Sequence, residues 1–252
     1  MTNSVLQSLS AAVASLFLLA LPANAWDIDK MNEQIEKTNV IVSEICSGTV
    51  IDVKERLVLT AHHCTTGNIR EVEKREVDEK TGDVHVRKVV EKTPMFISVW
   101  KYGEDSIVSE QKYSAVIRGY DAATDVAILQ VVDTDWKPMM AAPLAKDSYQ
   151  YKRGKPVFAV GNPGILFDNS VTTGIISAPQ RNLDFGSGHK IPLFQHSAST
   201  MGGSSGGAIY NDEGEIIGTL TGGMRGVDIS LSVPISKTKA LLKKIGLEKI
   251  YQ

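Results

Sequence analysis

The sequence predicts an all-β protein built from barrels or sandwiches, not from a parallel sheet. Three observations lead there. Short runs rich in β-branched and apolar residues recur along the chain, Gly and Asn-Asp turns punctuate them, and no helical pattern alternates with them. The runs fall into two groups on either side of a loop rich in Pro, Ala and Asp, from Asp133 to Ser148.

The chain of 252 residues opens with a mostly apolar stretch, Val5 to Leu21, followed by Pro22-Ala23-Asn24-Ala25, a small-x-small pattern that suits signal peptidase. A spanning helix needs about 20 apolar residues, and Gln7, Ser8, Ser10 and Ser15 dilute this stretch. Residues 1–25 are therefore expected to be a signal peptide cleaved after Ala25. The product would be secreted or periplasmic, with no membrane attachment after cleavage. No Lys or Arg precedes the run, which keeps an uncleaved anchor as the alternative.

Asp27 to Asn39 reads as a short polar helix or arm. The first group of strands follows: Val40-Ile41-Val42, Gly48 to Ile51, Leu57 to Thr60, Phe96 to Trp100 and Val126 to Val132. The second group is Val157 to Val160, Val171 to Ala178, Ala208 to Tyr210, Glu215 to Thr221 and Ile229 to Val233. Leu241, Leu242 and Ile245 form one stripe of a closing amphipathic helix over about 236–246. Between the strands, Arg70 to Lys92 carries seven positive and seven negative side chains among 23 residues, with valines between them and a turn at Thr81-Gly82-Asp83. It reads as a protruding, solvated hairpin, or as an exosite for a partner.

Composition excludes some functions. Lys plus Arg total 27 and Asp plus Glu 29, so no net positive field draws the chain to nucleic acid. An export signal followed by only two cysteines, Cys46 and Cys64, suggests one disulfide or two unrelated buried thiols. No His/Cys cluster has zinc spacing, so neither a metal nor another cofactor is expected.

The strongest chemical signal is Gly202-Gly203-Ser204-Ser205-Gly206-Gly207. Glycines around a serine allow backbone conformations that other residues resist, and they free N–H groups to face an oxyanion. A flexible linker is the bland alternative, but apolar Ala208-Ile209-Tyr210 follows at once. Gly203-x-Ser205-x-Gly207 also fits the nucleophile elbow of α/β-hydrolases. That fold would need a histidine after the serine, and no histidine follows His196. The usable order is His, Asp, Ser. Five histidines could serve: His62 and His63 at the end of an apolar strand, His85 in the charged hairpin, His189 in a loop, and His196. His196, nine residues before Ser205, would either line the cleft or sit in solvated loop.

Thr60-Ala61-His62-His63-Cys64 resembles the Thr-Ala-Ala-His-Cys block of the trypsin/chymotrypsin family. Cys46-Ser47-Gly48 resembles the half-cystine which that family pairs with the cysteine after its histidine, and Thr124-Asp125-Val126-Ala127-Ile128-Leu129 its aspartate block. Val160-Gly161-Asn162-Pro163, Val171 to Ala178 and Gly206-Gly207-Ala208-Ile209 are closer to the bacterial HtrA-like branch. The resemblance covers roughly Val40 to Ala240. It implies two six-stranded antiparallel barrels packed face to face, one over about 40–135 and one over about 148–235, and a Cys46–Cys64 disulfide. It implies a serine endopeptidase acting on polypeptides, with His63 as base, Asp125 orienting it and Ser205 as nucleophile.

By the same resemblance, the N–H groups of Gly203 and Ser205 form the oxyanion hole. Thr221 would lie near the triad carboxylate, and Gly222-Gly223 would pair with substrate as an added strand. Ser199 would form the base of the S1 pocket and Ile229 its wall. Uncharged Ser199 points to a small or medium apolar P1 residue, although Asp228 is close by. His62 and His63 are expected to alternate on a strand, so that only His63 faces Ser205. A catalytically silent binding protein of the same fold is the alternative function. Ser204 departs from the pattern: zymogen-activated members have aspartate there, and HtrA-like members usually asparagine. No PDZ module is expected, and the sequence sets no oligomeric state.

Overall fold

The computed structural model describes residues 27–78, 80–81, 83–102, 107–184, 188, 190–224 and 226–252. The expected signal peptide and His189 lie outside the described residues. After the helix α1 (Ile28–Thr38) come β1 (Asn39–Val42), β2 (Cys46–Asp52) and β3 (Leu57–Thr60), then a 3₁₀ turn, His62–Asn68. The ribbon β4 (Ile69–Val77) and β5 (Val84–Lys92) follows, then β6 (Met95–Tyr102), β7 (Ile107–Asp121) and β8 (Val126–Val131). The second half holds β9 (Pro156–Gly161), β10 (Ser170–Leu183), β11 (Ile191–His196), β12 (Ala208–Tyr210), β13 (Ile216–Met224), β14 (Ile229–Pro234) and the helix α2 (Ile235–Lys244).

Two closed antiparallel barrels result, in the orders β1-β2-β3-β8-β7-β6 and β10-β11-β14-β13-β12-β9. Closure leaves no open sheet edge in either barrel. Strands β7 and β11 were not legible as strands. Charged Glu110, Lys112 and Arg118 interrupt the apolar pattern of β7, and Pro192 breaks that of β11.

The continuous apolar character of β3 and β8 has a structural reason. Val58, Leu129 and Val131 fill the first barrel, with Val40, Val50, Ile97 and Trp136. Their neighbours Leu57, Leu59, Val126 and Ile128 belong instead to the cluster that contains the second barrel's Val160, Ile209 and Leu220. Both faces of these strands are buried, one in a barrel and one between barrels. This seam brings the connections after β3 and β7 against the second barrel.

Both helices help hold the seam. α1 is capped by Asp27, whose carboxylate accepts from the N–H groups of Asp29 and Lys30. It buries Ile35 and donates from Gln34 Nε2 to Gly214 O at 2.9 Å, on a turn of the second barrel. α2 packs on β7, β8 and β13 with Leu241 and Leu242 buried. Among the described residues, no helix is long and apolar enough to cross a membrane.

The ribbon β4–β5 is a separate two-stranded sheet. Its side chains are mostly exposed, and Lys74–Glu91, Arg87–Glu76 and Lys88–Glu71 ion pairs run across it. A bond from Thr93 N to Asn68 O (2.9 Å) closes its base.

Candidate active site

The 3₁₀ turn places His63 and the β7–β8 connection places Asp125, both on the first barrel. Asp125 takes the left-handed conformation, φ 56°, which few non-glycine residues adopt and which Asp tolerates better than most. Its carboxylate is only 5% exposed and is fully engaged. It accepts from His63 N (2.9 Å), from His63 Nδ1 (3.1 Å to Oδ1, 2.9 Å to Oδ2), and from the hydroxyl of Thr221 on β13. Burial by itself would raise this carboxyl; the bonds from His63 and Thr221 outweigh it and hold the group below the ordinary aspartate value. An ionised carboxylate only accepts, so Nδ1 of His63 carries the proton and Nε2 keeps its lone pair.

Ser205 sits in the turn that leads into β12. Its carbonyl accepts from Ser47 N of the first barrel at 2.7 Å, and Cys64 Sγ lies 3.7 Å from the same oxygen. Cys64 is joined to Cys46, and a His63 ring nitrogen lies within 4.8 Å of both sulfurs. The disulfide therefore sits between the histidine turn and the serine turn. Its sulfurs carry no thiolate to offer a metal. Among the described residues, Ser205 Oγ and His63 Nε2 are not hydrogen-bonded. Such bonds are often long without substrate and tighten in the Michaelis complex.

The glycines are required by position. Gly203 has φ 98°, and a Cβ there would lie 2.4 Å from Asn162 O. Gly206 has φ 85°, and its Cβ would lie 2.3 Å from Ser47 O. Each carbonyl around the serine is held: Gly202 O by Gly164 N (2.6 Å), Gly203 O by Ser47 Oγ (2.7 Å) and Ser204 O by Gly207 N (3.0 Å). In a trans peptide, C=O and N–H point opposite ways. Holding Gly202 O and Ser204 O therefore turns the N–H groups of Gly203 and Ser205 to the other side. Neither N–H has a partner among the described residues.

A cleft of about 680 Å³ adjoins this turn, lined by Ser199, Met201, Ser205, Gly222, Gly223, Val227 and Asp228, among others. Ile229 does not line it; it stands on β14 opposite Met224. Thr221 also lies outside the lining, its hydroxyl being spent on Asp125.

Against this geometry, residues 46–218 match the family profile of the trypsin-like peptidase domain. The chain belongs to the trypsin-like peptidase family. It is 38% identical over 106 residues to a "Serine protease Do-like HtrA" of Lactobacillus helveticus, covering 42% of this chain and 25% of that protein. It is 33% identical over 139 residues to a "Serine protease HtrA-like" of Staphylococcus aureus strain MRSA252, covering 51% of this chain and 18% of that one. The chain thus matches a quarter or less of the length of these relatives. Among solved structures, the serine endoprotease from Yersinia pestis shares the fold, with TM-score 0.60 and 22% identity over 86% of this chain and 65% of that one.

Two histidine readings need correction within this peptidase fold. His62 and His63 lie on a 3₁₀ turn, not a strand, so their side chains diverge by about 120° instead of alternating. His62 stacks on Tyr120, with ring centroids 4.7 Å apart and planes at 11°. His196 is neither in a loop nor solvated. It ends β11, is fully buried, and bonds through Nε2 to Ser232 Oγ at 3.0 Å. Burial pushes its imidazole down to about 4, so the ring is neutral. Sequence reasoning gave no role to Asn39, Ser47 or Asn162, which are buried and hydrogen-bonded beside this turn; Ser47 and Asn162 figured only inside resemblance motifs.

Proposed function

We propose that this protein is an exported serine endopeptidase in which Ser205 is the nucleophile, His63 the base and Asp125 the residue that orients it. The observation that carries the reading is the Asp125 carboxylate, which accepts a hydrogen bond from Nδ1–H of His63, so that the proton stays on Nδ1 and Nε2 is free to accept one. Ser205 Oγ attacks the scissile carbonyl carbon and passes its proton to Nε2. The carbonyl oxygen, now negative, takes the N–H groups of Gly203 and Ser205. As the C–N bond breaks, His63 returns the proton to the leaving amine, and the acyl group stays on Ser205. Water then enters through the same base and releases the new carboxyl end.

The substrate is an extended polypeptide that pairs with Gly222 and Gly223 as an added strand, with its P1 side chain in the cleft by Ser199. A small or medium apolar P1 residue suits uncharged Ser199. The Cys46–Cys64 disulfide supports an oxidising compartment, in keeping with cleavage after Ala25.

The deciding experiment combines a fluorophosphonate probe with the Ser205→Ala variant. Labelling should fall on Ser205, and the variant should lose turnover by on the order of 10⁴–10⁶ with unchanged melting. Folded wild-type protein that neither takes the label nor cleaves any sequence in a denatured proteome would identify a silent binding protein instead. The same cleavage profile reads P1; dominance of Arg or Lys would assign the Asp228 carboxylate to the pocket floor and refute the apolar preference.

A further inference from the structure

The turn that carries Ser205 contains four glycines, and an active hole needs one particular arrangement of it. Ser204, next to Ser205 in that turn, is a neutral hydroxyl, so no charged side chain at that position anchors it. The peptide planes on either side of Gly203 must be held by neutral groups.

A buried polar cluster at the seam stands next to that peptide. Asn39 is 6% exposed, Asn162 1% and Ser47 0%. Backbone groups that can act only one way orient the Asn162 amide and the Ser47 hydroxyl. Val40 O can only accept, so the Asn162 amide group faces it through Nδ2 (3.0 Å). Asn169 N can only donate, so Asn162 Oδ1 faces it (3.0 Å), and the same Oδ1 accepts from Asn39 Nδ2 (2.9 Å). Asn39 Nδ2 also reaches Asn169 Oδ1 at 2.7 Å. Ser47 Oγ then receives two donors, Asn162 N (2.8 Å) and Asn162 Nδ2 (3.1 Å). Both its lone pairs are used, which leaves its own proton for Gly203 O at 2.7 Å.

The cluster reaches the other plane as well. Asn162 O accepts from Ile165 N at 3.0 Å, closing the turn that presents Gly164 N to Gly202 O. Asn162 therefore governs the peptide before Gly203 through Gly164 and the peptide after it through Ser47. If the peptide between Gly202 and Gly203 turned over, a carbonyl oxygen would face the cleft in place of the N–H.

We infer that Ser47 and Asn162 are positioning residues for the oxyanion hole, and that the relay Asn39–Asn162–Ser47 holds the turn in its hole-forming arrangement with neutral groups alone. The inference rests on the peptidase reading above. None of the three side chains need touch substrate. Ser47→Ala leaves Gly203 O and Asn162 N without their partner in a dry site, and the turn loses its preference for the hole-forming arrangement.

The test uses the purified mature protein, with active sites counted by the burst of an activated ester, so that kcat refers to sites that can acylate. Ser47→Ala should lower kcat per site by roughly 10–100-fold, since removing one oxyanion donor outright costs about 10²–10³. KM should stay within about threefold, as uniform binding is untouched. A peptidyl boronate, whose tetrahedral adduct puts an oxygen in the hole, should weaken in proportion to the loss in kcat. A merely structural bond would lower melting or the count of active sites and move neither per-site quantity; per-site kcat and boronate affinity within twofold of wild type would overturn the inference. Should Ser47→Ala fail to fold, Asn39→Ala at the outer end of the relay replaces it, with an expected loss of about 3–10-fold and the same twofold criterion. Wild-type protein with neither burst nor turnover removes the peptidase reading itself, and this inference with it.

Discussion

Thr221, on the second barrel, donates its hydroxyl to the carboxylate of Asp125 on the first. The group that orients His63 is thus held from across the seam. Thr221→Val keeps the shape and removes the donor, leaving a buried carboxylate one bond short. The expected loss in kcat/KM is about 10–100-fold, on the scale of one hydrogen bond to a charged group. The variant also has a pH signature. Asp125 is held below the ordinary aspartate value, so its bonds stabilise the fold above the unfolded carboxyl's pKa, about 3.9, and lose that effect as pH falls below it. Melting curves should show wild type above the variant at pH 6–7, with the gap closing below about pH 4. A constant gap would contradict this account.

His196 gives a second pH dependence at higher pH. The folded ring stays neutral down to about 4, whereas an unfolded imidazole protonates near 6.5, so the unfolded chain gains the proton first. Stability should be complete above about pH 6.5 and fall progressively towards pH 4, by about 3 kcal/mol in all. His196→Gln should flatten chemical-denaturation midpoints across that window. An unchanged slope would mean that the ring is not the group responsible.

The disulfide spans a sequence separation of 18 and sits between the histidine and serine turns. Loop closure of that size is worth about 3 kcal/mol in the chain-entropy model. Reduction, or Cys46→Ala with Cys64→Ala, should lower the denaturation midpoint accordingly and reduce activity before global melting. Peptide mass spectrometry under non-reducing conditions should recover the two cysteines linked.

Removal of the proposed signal peptide should be the only processing that activity needs. α1 is already capped and seated on the second barrel, and Ser204 offers no partner to a new α-amino group. Protein starting at Trp26 and protein with a short uncleavable extension should turn over within about twofold of each other. A large loss in the extended form, reversed by trimming, would show that the terminus helps to build the site.

Much of this molecule was legible in its sequence because its strands are short, apolar and punctuated. The charged outer face of β7 and Pro192 in β11 hid two strands, since only pairing partners reveal that those segments complete barrels. His63, Asp125 and Ser205 stood out as candidates from local blocks. Asn39, Ser47 and Asn162 did not, because a hydrogen-bond relay among residues more than 100 positions apart leaves no local pattern. His196 was misplaced for a related reason: its burial is set by β14, not by its neighbours in the chain.

The ribbon β4–β5 leaves the first barrel after the histidine turn and returns where Thr93 bonds to Asn68, almost at its point of departure. The stretch of chain between His63 and Asp125 is therefore elastic. It can lengthen or shrink by whole pairs of residues while both side chains stay where they are. The number of residues separating base and acid is then a poor ruler of kinship among proteins of this fold, and an alignment that penalises a gap there will understate how alike two such chains are.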